Sequence, residues 1–475
     1  ETTASSIRFK LFRADQPIHL STILPLLENM GMRVIDERPH EIKITGGASL
    51  WVHDLGMTYA NPGELDNESL RQLFQNSFEQ IWHGRVENDG FNRLVLLAQL
   101  PWRQVIVLRA CGKYLRQTGF SFSQHYMEQT LAHHPQIARL LVDLFLVRFD
   151  PTQQHEADKR AALLQVTIEQ SLDNVPNLDE DRILRRFFTL IKALLRTNFF
   201  QTNSTGEPKE YLSFKLDSRQ IPDLPEPKPL YEIFVYSPRV EAIHLRGGKV
   251  ARGGIRWSNR PEDFRTEVFG LMKTQMVKNA VIVPVGAKGG FVVKQPPSGT
   301  DADALAVEVK QCYSLLIRGL LDITDNLTGN VVTPPANVVR YDTDDPYLVV
   351  AADKGTATFS DTANGIAKEY GFWLGDAFAS GGSAGYDHKK MGITAKGGWE
   401  SVKRHFREMG RDMEHQAFTL VGIGSMSGDV FGNGLLLSRQ AKLIAAFSHQ
   451  HIFLDPDPHP DASFAERERL FTILR

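Results

Sequence analysis

The stretch from residue 246 to residue 290 constrains the fold of this chain more than any other part of its sequence. It opens with a glycine-rich basic segment, RGGKVARGGIR at 246–256, which we interpret as a turn. Residues 262–279 carry apolar side chains at helical spacing, and residues 280–285 form a short apolar run typical of a buried strand. A second predicted turn, GAKGG at 286–290, follows. Because glycines let a backbone approach a ligand closely, this succession predicts a binding site.

Three cations mark the predicted site: Arg252 in the first turn, Lys278 at the end of the helix and Lys288 in the second turn. We expect them to converge on a small dianion. One glycine-rich basic turn on its own is usually a solvated loop. A phosphate loop is a further interpretation, but the chain has no GxxxxGK[ST] pattern. The full succession of turn, helix, strand and turn with all three cations is harder to obtain by chance, so we favour the anion site.

The succession resembles the substrate site of the glutamate dehydrogenase family. That family's pattern is K/R-G-G-x-R, a helix with a lysine at its end, and then G-x-K-G-G. The details are similar to the large, multidomain NAD-dependent branch. Arg252 stands where the smaller enzymes carry a lysine, and the spacing is two residues longer before Lys278 and two shorter after it. The resemblance implies that Arg252 holds the side-chain carboxylate of L-glutamate and that Lys278 holds its α-carboxylate.

Lys288 and Asp353 are the residues to which the resemblance gives catalytic roles. Residues 347–352 read as an apolar strand, and a carboxylate at the exit of such a strand, here Asp353, can point into a cleft. Taken alone, Asp353 would more often be a helix cap or a turn aspartate. The resemblance implies that Asp353 moves protons to and from the α-amino group and that Lys288 activates water. We expect crowding by other cations to lower the pKa of Lys288.

A second glycine-dense segment, residues 381–398, precedes a helix predicted over 398–409. By resemblance, this helix joins the two catalytic domains, and Thr394 matches the family threonine whose hydroxyl contacts the nicotinamide cofactor. Residues 417–424 then read as a strand that runs into a glycine turn. The sequence therefore predicts that the cofactor-binding part begins near residue 416.

The glycine turn at 422–428, GIGSMSG, is a variant of the dinucleotide fingerprint that is one residue longer than GxGxxG. A strand predicted over 418–421 and a helix predicted over 430–437 flank it as the fingerprint requires. The residues that we expect to bind NAD in this turn are Gly422, Gly424, Ser425 and Met426. Ser425 stands where an acidic residue is usual in the large branch.

Residues 451–454 are predicted to be the second strand of the nucleotide-binding unit, and the strand ends at Asp455. A carboxylate in this place accepts hydrogen bonds from the adenosine ribose and repels a 2′-phosphate, which favours NAD over NADP. Asp455 lies further beyond the glycine turn than the usual ~20 residues, so the match is loose.

The whole chain is predicted to be a multidomain protein with α/β and α+β parts. Residues 1–88 have the order β-α-β-β-α, similar to an ACT module, which in this family binds small effectors, often amino acids; a purely structural role fits equally well. Residues 89–205 are helix-rich, and a proline-rich linker at 203–229 opens a substrate-binding and catalytic α/β domain over 206–415. Residues 416–475 begin a Rossmann-like NAD domain. Because only its first strand, helix and second strand are predicted, we expect a truncated domain and a fragment that is inactive alone.

Composition excludes several classes of function. A net charge of −2 gives no attraction to nucleic acid, and no run approaches the roughly 20 apolar residues that cross a bilayer. The two cysteines have no metal-binding spacing, so we expect no metal. The start of the chain has no secretory pattern, so we expect a cytoplasmic protein, and by resemblance a homo-oligomer.

Together these features predict an enzyme of amino-acid catabolism that oxidatively deaminates L-glutamate to 2-oxoglutarate and ammonia with NAD. Two alternatives stay open. Lys278, Lys288 and Asp353 would serve a dehydrogenase of any amino acid, whereas Arg252 calls for a second carboxylate. A non-catalytic module that binds an effector is the other alternative.

Overall fold

The chain divides into two units, Glu1–Ser380 and Gly381–Arg475, and each has its own hydrophobic clusters. In the computed structural model, the described residues are 7–43, 45, 47, 49–59, 68–278, 285–297, 299, 301–385 and 388–473, without the side chains of residues 278, 388 and 389. No helix of the described residues is both long and apolar enough to cross a membrane.

The first unit begins with the predicted β-α-β-β-α module. Its elements are β1 (Ile7–Ala14), α1 (Leu20–Asn29), β2 (Arg33–Lys43), β3 (Ser49–Thr58) and α2 (Glu68–Trp82). The strands form an antiparallel sheet in the order β1-β3-β2. Alternate residues of β1 face the helices, and Phe9 contacts Phe74 and Phe78 of α2 edge-on. Every second residue of β1 and the apolar residues of α2 that lie on one helix face therefore pack into one shared core.

A helical region follows, as the sequence predicts. Its helices are α3 (Leu94–Leu97), α4 (Trp102–Gln117), α5 (Gln124–His133), α6 (Pro135–Phe149), α7 (Ala157–Leu172) and α8 (Leu178–Ala193). Asn177 caps α8 by accepting hydrogen bonds from two backbone N–H groups of its first turn, and three acidic residues follow there. This region shares one continuous core with the module before it and with one face of the sheet after it.

An eight-stranded mixed sheet forms the rest of the first unit, in the order β13-β12-β8-β9-β7-β6-β5-β4. Its strands are β4 (Leu194–Thr197), β5 (Leu212–Leu216), β6 (Tyr231–Tyr236), β7 (Val240–Arg246), β8 (Ala251–Trp257), β9 (Val285–Val293), β12 (Val349–Ala352) and β13 (Ala379–Ser380). The predicted boundary at residue 205 is wrong, because β4 lies before it and belongs to this sheet. The predicted linker also contains β5, which pairs with β4 and β6.

The two faces of the sheet are covered differently. The remaining elements of the unit are α9 (Phe264–Lys278), α10 (Ala302–Leu321), α11 (Ser360–Glu369) and a hairpin of β10 (Asn326–Thr328) and β11 (Val331–Thr333). Side chains of α10 and α11 share a core with alternate sheet residues such as Ile233 and Ile255. The opposite face contributes Phe234 and Leu245 to the core of the helical region and α9.

The two glycine-rich segments lie largely in strands: residues 247–250 form the predicted turn, between β7 and β8, but the rest of the first segment belongs to β7 and β8 and the second segment to β9. Arg252 and Arg256 lie within β8, and Lys288 lies within β9, whose residues Val285–Val293 include all of GAKGG. The strand predicted over 280–285 falls mostly on residues outside the described part. The glycines serve close packing here: a Cβ on Gly286 would lie 2.7 Å from the backbone nitrogen of Met276 in α9. Helix α9 therefore approaches the sheet more closely than a side chain would allow.

The second unit contains α12 (His388–Met391), α13 (Ile393–Glu408), β14 (Phe418–Ile423), α14 (Asp429–Leu435), β15 (Ala441–Phe447), β16 (Ile452–Leu454) and α15 (Pro460–Ile473). Strand β15 pairs with β14 in parallel and with β16 antiparallel. Two predictions are corrected. The helix predicted from residue 398 begins at Ile393, and the second parallel strand is β15 rather than residues 451–454.

Candidate active site

Three neighbouring strands bring the predicted catalytic residues to one face of the sheet. β8 lies between β9, which carries Lys288, and β12, which ends immediately before Asp353. Ala351 pairs with Gly254, and Gly289 pairs with Ile255. Since successive residues of a strand point to opposite faces, Arg252, Arg256, Lys288 and Asp353 share one face. Sheet register therefore assembles residues that lie up to a hundred positions apart in the sequence.

Gly254 leaves the space in which Lys288 and Asp353 meet. Its strand separates their strands, so their backbones lie roughly 10 Å apart, a gap that the long lysine side chain spans. A Cβ at Gly254 would lie 3.0 Å from Cβ of Asp353 and 2.7 Å from the carbonyl oxygen of Ala352. Gly254 therefore lies in a strand rather than in the predicted turn, and it keeps the path across β8 clear.

Lys288 and Asp353 form an ion pair at this position. The Lys288 Nζ donates to Asp353 Oδ2 at 2.7 Å, and the side chains are 15% and 16% exposed. Partial burial would raise the pKa of Asp353, but hydrogen bonds from Lys288, from the backbone N–H of Lys354 and from Arg256 outweigh it, so the pKa lies below its usual range. Asp353 is therefore a carboxylate at neutral pH, and its partner is a lysine that solvent still reaches.

Arg256 joins this pair to the first turn of α9. Its guanidinium lies 3.3 Å from Asp353 Oδ1 and 2.9 Å from Glu267 Oε1. Ser258 also donates to Glu267, at 2.6 Å. Burial opposes the charged form of Glu267, but Ser258 and Arg256 outweigh it and lower its pKa. Arg256 thus contacts one carboxylate oxygen of Asp353 while Lys288 contacts the other, an arrangement that the sequence does not predict.

Arg252 differs from the other cations of this face because it is exposed and lacks an ion partner. Within the described part of the chain, no carboxylate lies within 4 Å of it, and its guanidinium donates to Ser380 Oγ at 3.4 Å. Two cations and two carboxylates balance in the group of Lys288, Arg256, Asp353 and Glu267, so Arg252 contributes an unmatched positive charge. This is the arrangement that an incoming carboxylate requires.

Lys278 is the last residue of α9, at the helix end where the sequence predicts it. Its side chain lies outside the described residues, so its contribution to the site stays a prediction. Ser380, Gly254 and Glu267 are the partners that sequence reasoning missed. The alternation of Arg252, Gly254 and Arg256 in the segment 251–257 is the signal that would have found the strand and its common face.

The predicted cofactor turn in the second unit follows a strand and precedes a helix. β14 runs into Gly424, whose backbone N–H donates to the carbonyl oxygen of Phe447 at 2.7 Å. Gly424 has a φ of +145°, and a Cβ there would lie 2.9 Å from Cβ of Phe431 in α14. A Cβ at Gly422 would lie 2.5 Å from the same ring. The glycines thus permit the close strand–helix packing that a dinucleotide turn needs.

The other predicted cofactor residues differ in their surroundings. Ser425 lies in the turn, and its hydroxyl is 2.7 Å from that of Ser427. The side chain of Met426 is buried among Leu435 and Leu443, so only its backbone faces the turn. Thr394 is exposed in the first turn of α13 rather than in a loop.

Asp455 does not follow the second parallel strand. It comes after the antiparallel β16, and its N–H donates to the carbonyl oxygen of Ile444 in the middle of β15. The dinucleotide fingerprint requires the acidic residue at the carboxyl end of the second parallel strand. The role of Asp455 in binding ribose stays a prediction that this topology does not favour.

Comparison with known proteins identifies three families along the chain. The model described as "Bacterial NAD-glutamate dehydrogenase, catalytic domain" matches residues 167–475. The models "Glutamate dehydrogenase, helical motif 3" and "Glutamate dehydrogenase, ACT3 domain" match residues 86–151 and 1–70. The ACT-like module and the helical region of the sequence analysis are confirmed by these matches.

Curated relatives are similar over nearly the whole chain. The NAD-specific glutamate dehydrogenase of Pseudomonas aeruginosa is 58% identical over 470 residues, which cover 98% of this chain and 29% of that protein. That of Halomonas elongata is 56% identical and covers 100% of this chain and 29% of that protein. The chain thus spans about 29% of the length of these relatives. A solved hetero-hexameric glutamate dehydrogenase from Thermus thermophilus matches 62% of this chain and 63% of its own at 16% identity, but a TM-score of 0.32 carries no argument.

Proposed function

The chain belongs to the bacterial NAD-glutamate dehydrogenase family, and from that premise we propose that it forms the substrate-binding part of an enzyme that oxidises L-glutamate to 2-oxoglutarate and ammonia with NAD. The observation that carries the proposal is the 2.7 Å contact between Lys288 and Asp353, on the same sheet face as the unpaired Arg252. An amino-acid dehydrogenase needs a proton acceptor, a water-activating group and a carboxylate-binding cation close together. This face offers all three.

Arg252 selects the substrate in this proposal. Its exposed guanidinium binds the side-chain carboxylate of glutamate, and Ser380 lies close enough to steady that guanidinium at 3.4 Å. Lys278, at the end of α9, binds the α-carboxylate. A substrate held at both ends has its Cα fixed in one orientation, which lowers the entropic cost of reaching the transition state.

Asp353 and Lys288 then carry the protons. Asp353, which is ionised at neutral pH because its pKa is lowered, accepts a proton from the α-ammonium group. The free amine stabilises the positive charge that develops at Cα as the hydride leaves. Lys288 orients a water molecule for attack on the resulting imine carbon. Asp353 gives the proton it accepted to the nitrogen, which departs as ammonia, and the two protons of the attacking water are released to solvent as the carbonyl forms.

NAD, when bound, accepts the hydride from Cα. The residues of this chain that would hold it are the glycine turn at Gly422 and Gly424 together with Ser425. The close packing of Phe431 against both glycines supports this assignment, because a dinucleotide turn needs glycines where the strand and the helix approach closely. Thr394 is proposed to contact the nicotinamide through its hydroxyl.

Turnover of the full-length protein tests the proposal. We expect NADH to form from L-glutamate and NAD, and to form far more slowly from norvaline, which has a similar length and no side-chain carboxylate. Equal rates with both substrates would favour a dehydrogenase of another amino acid. Absence of NADH with every amino acid tried would instead favour a non-catalytic, effector-binding role.

We propose in addition that the ACT-type module at the start of the chain binds an amino-acid effector. A cavity of about 750 Å³ lies beside β1, α1 and α2, and its walls include Phe12, Ile18 and Trp82. Titration of the full-length protein with single amino acids, followed by thermal unfolding, tests this. A Phe12→Ala variant that keeps the full effector-induced rise in melting temperature would contradict it.

A further inference from the structure

A second cavity, bordered by the start of α4, lies apart from the candidate active site. Its volume is about 1040 Å³, and it is enclosed by the start of α4, the loop between β4 and β5 and the turn between β6 and β7. The turn at Ser237–Arg239 precedes Val240, at the opposite end of β7 from Leu245, which pairs with Lys288. The cavity and the proposed substrate site therefore lie at opposite ends of one strand.

Most cations that line this cavity already have an acidic partner. Three of them are paired with carboxylates: Arg239 with Glu308, Arg318 with Glu369, and Lys209 with Asp322. In each pair the carboxylate neutralises the cation, so these three cations do not attract a further anion. Two lining cations, Arg85 and Arg103, have no ion pair among the described residues; Arg85 donates to the side-chain oxygen of Gln80, whereas Arg103 donates only to backbone carbonyl oxygens.

Arg103 lies in the first turn of α4 and has no carboxylate within 4 Å in the described part of the chain. Its guanidinium donates to the backbone carbonyl oxygens of Lys209 and Phe199, at 3.2 and 3.3 Å, and stacks 4.8 Å above the Phe199 ring. Its Nε is buried and has no hydrogen-bond partner. These contacts fix the guanidinium in place but leave its charge unbalanced.

Burial disfavours the charged form of the Arg103 side chain. Burial lowers its pKa to about 10, and no charged neighbour offsets that effect. A buried charge without an opposite charge is unfavourable unless a partner arrives. No carboxylate among the described residues lies within 4 Å of Arg103, so its charge is available to an anion from solution.

The helix end beside Arg103 adds to the positive potential. α4 has 16 residues, no side-chain cap at Pro101 and no acidic residue in its first turn. Its N-terminal N–H groups therefore carry the positive end of the helix dipole without the usual compensation. In α4 the cation Arg103 occupies the first turn, where proteins usually place an acidic residue. The positive charge and the helix dipole repel each other, and a bound anion would relieve this repulsion.

We propose that this cavity binds a small organic anion through a carboxylate or phosphate group, with Arg103 as its principal cation. The guanidinium has five N–H donors, and two bonds to carbonyl oxygens leave donors for a planar or tetrahedral oxyanion. The cavity is at the upper end of the range of small-molecule sites, about 300–1,000 Å³. Trp102, next to Arg103, contributes an aromatic wall for the rest of the molecule.

Protection from chemical modification tests the proposal without any variant. In the full-length protein, phenylglyoxal modification of Arg103 is followed by mass spectrometry in sodium phosphate, in sodium malonate and in sodium chloride of equal ionic strength. We expect phosphate or malonate to slow the modification at least tenfold while the exposed Arg38 is modified at one rate in all three salts. Protection by only one of the two anions identifies the chemical group. Equal rates at Arg103 in all three salts would overturn the proposal.

Calorimetry with variants sharpens the assignment. The protective anion should bind about 10- to 150-fold more weakly to Arg103→Gln, since a charge-assisted hydrogen bond is lost, and Arg103→Lys should lose less. Lys192→Gln is the matched control, because Lys192 is an exposed cation that stacks on Phe188, has no ion pair among the described residues and does not line the cavity. Binding to Arg103→Gln as tight as to the unaltered protein would contradict the proposal. If that variant does not fold, the protection result decides alone.

Discussion

Two groups of paired charges lie on opposite faces of the same sheet, and they differ in how completely their charges are matched. The buried group joins three cations to three carboxylates: Arg196, Lys215 and Arg246 with Asp325, Asp342 and Asp345. Their side chains are at most 4% exposed. The open group consists of Lys288, Asp353, Arg256 and Glu267, with the unpaired Arg252 beside it.

The comparison shows that residue type does not decide the role of a charged side chain. Lys215 touches two carboxylates, Asp342 at 2.5 Å and Asp345 at 2.6 Å, and water is excluded from all three. Lys288 touches one carboxylate and stays within reach of solvent. A saturated, dry cluster specifies structure, whereas an incompletely matched, accessible one can exchange its partner for a substrate. Predictions that separate the two groups therefore test the whole account.

The largest expected effect is on turnover. Lys288→Ala should reduce kcat of the full-length enzyme by about 10²- to 10⁴-fold, because a general acid–base group is lost. Its melting temperature should stay close to that of the unaltered protein. Lys354→Ala is the control, since Lys354 is exposed and adjacent to Asp353. A near-normal kcat in Lys288→Ala would remove the catalytic assignment.

Lys215→Ala should have the opposite effect: it should lower the stability of the fold and leave turnover almost unchanged. Removing this cation leaves the buried group with one negative charge in excess, although Asp342 keeps Arg196 and Asp345 keeps Arg246, and costs about 3–5 kcal/mol of folding free energy. Urea unfolding measures this loss, and the kcat of the fraction that stays folded should change little. A variant with full stability and lost turnover would show that the buried group, rather than the open one, serves the chemistry.

A smaller effect is expected on specificity. Arg252→Ala should shift the ratio of kcat/KM for glutamate over norvaline by about 10- to 150-fold, because the contact of the guanidinium with the second carboxylate is lost. Arg260→Ala serves as the matched control, since Arg260 is exposed but paired with Asp263. If both substrates lost activity equally, Arg252 would be a structural residue like Arg246.

The smallest expected effect is on acid stability. Burial raises the pKa of Asp345, but Arg246 and Lys215 outweigh it and hold the pKa at about 2. A carboxylate whose pKa is lower in the folded state stabilises the fold above its unfolded pKa of about 3.9, and this stability is lost as the pH falls through the folded value. Asp345→Asn should therefore flatten the fall in stability on acidification from about pH 4 towards pH 2.

Asp353→Asn gives the comparison for the acid experiment. The pKa of Asp353 is also lowered, but its side chain is 16% exposed against 2% for Asp345, so solvent screens its ion pairs more. Its substitution should flatten the same curve less. Urea unfolding at several pH values measures both variants, and a larger effect of Asp353→Asn would reverse the ranking of the two groups.

The sequence predicted the helices better than the strands, for a physical reason. Helix α9 was predicted over 262–279 from the spacing of its apolar residues, and it spans Phe264–Lys278. The segments that form β8 and β9 each contain two or more glycines, and this composition predicts turns because glycine is rare in strands. Here the glycines are required by neighbours, such as α9 against Gly286, that are distant in the sequence. Single-sequence patterns do not contain that information.

The residues of the site could be predicted from the sequence, but the contacts between them could not. Lys288, Asp353 and Arg252 were selected by their resemblance to a family pattern, and strand register brings them to one face. The bridge from Arg256 to Glu267 and the contact between Arg252 and Ser380 depend on which strands are neighbours. Arg246 and Arg252 looked alike in the basic segment, yet strands β7 and β8 direct them to opposite faces of the sheet. The pairing of the strands decides to which face each arginine points, and the composition of the segment does not.

The central claim is that the open charged group is where glutamate binds. A structure of the full-length protein with L-glutamate tests it most directly. We predict one carboxylate of glutamate within about 3 Å of the Arg252 guanidinium and the amino group beside Asp353 and Lys288. Glutamate bound elsewhere, with Arg252 still bound only to Ser380, would contradict the account.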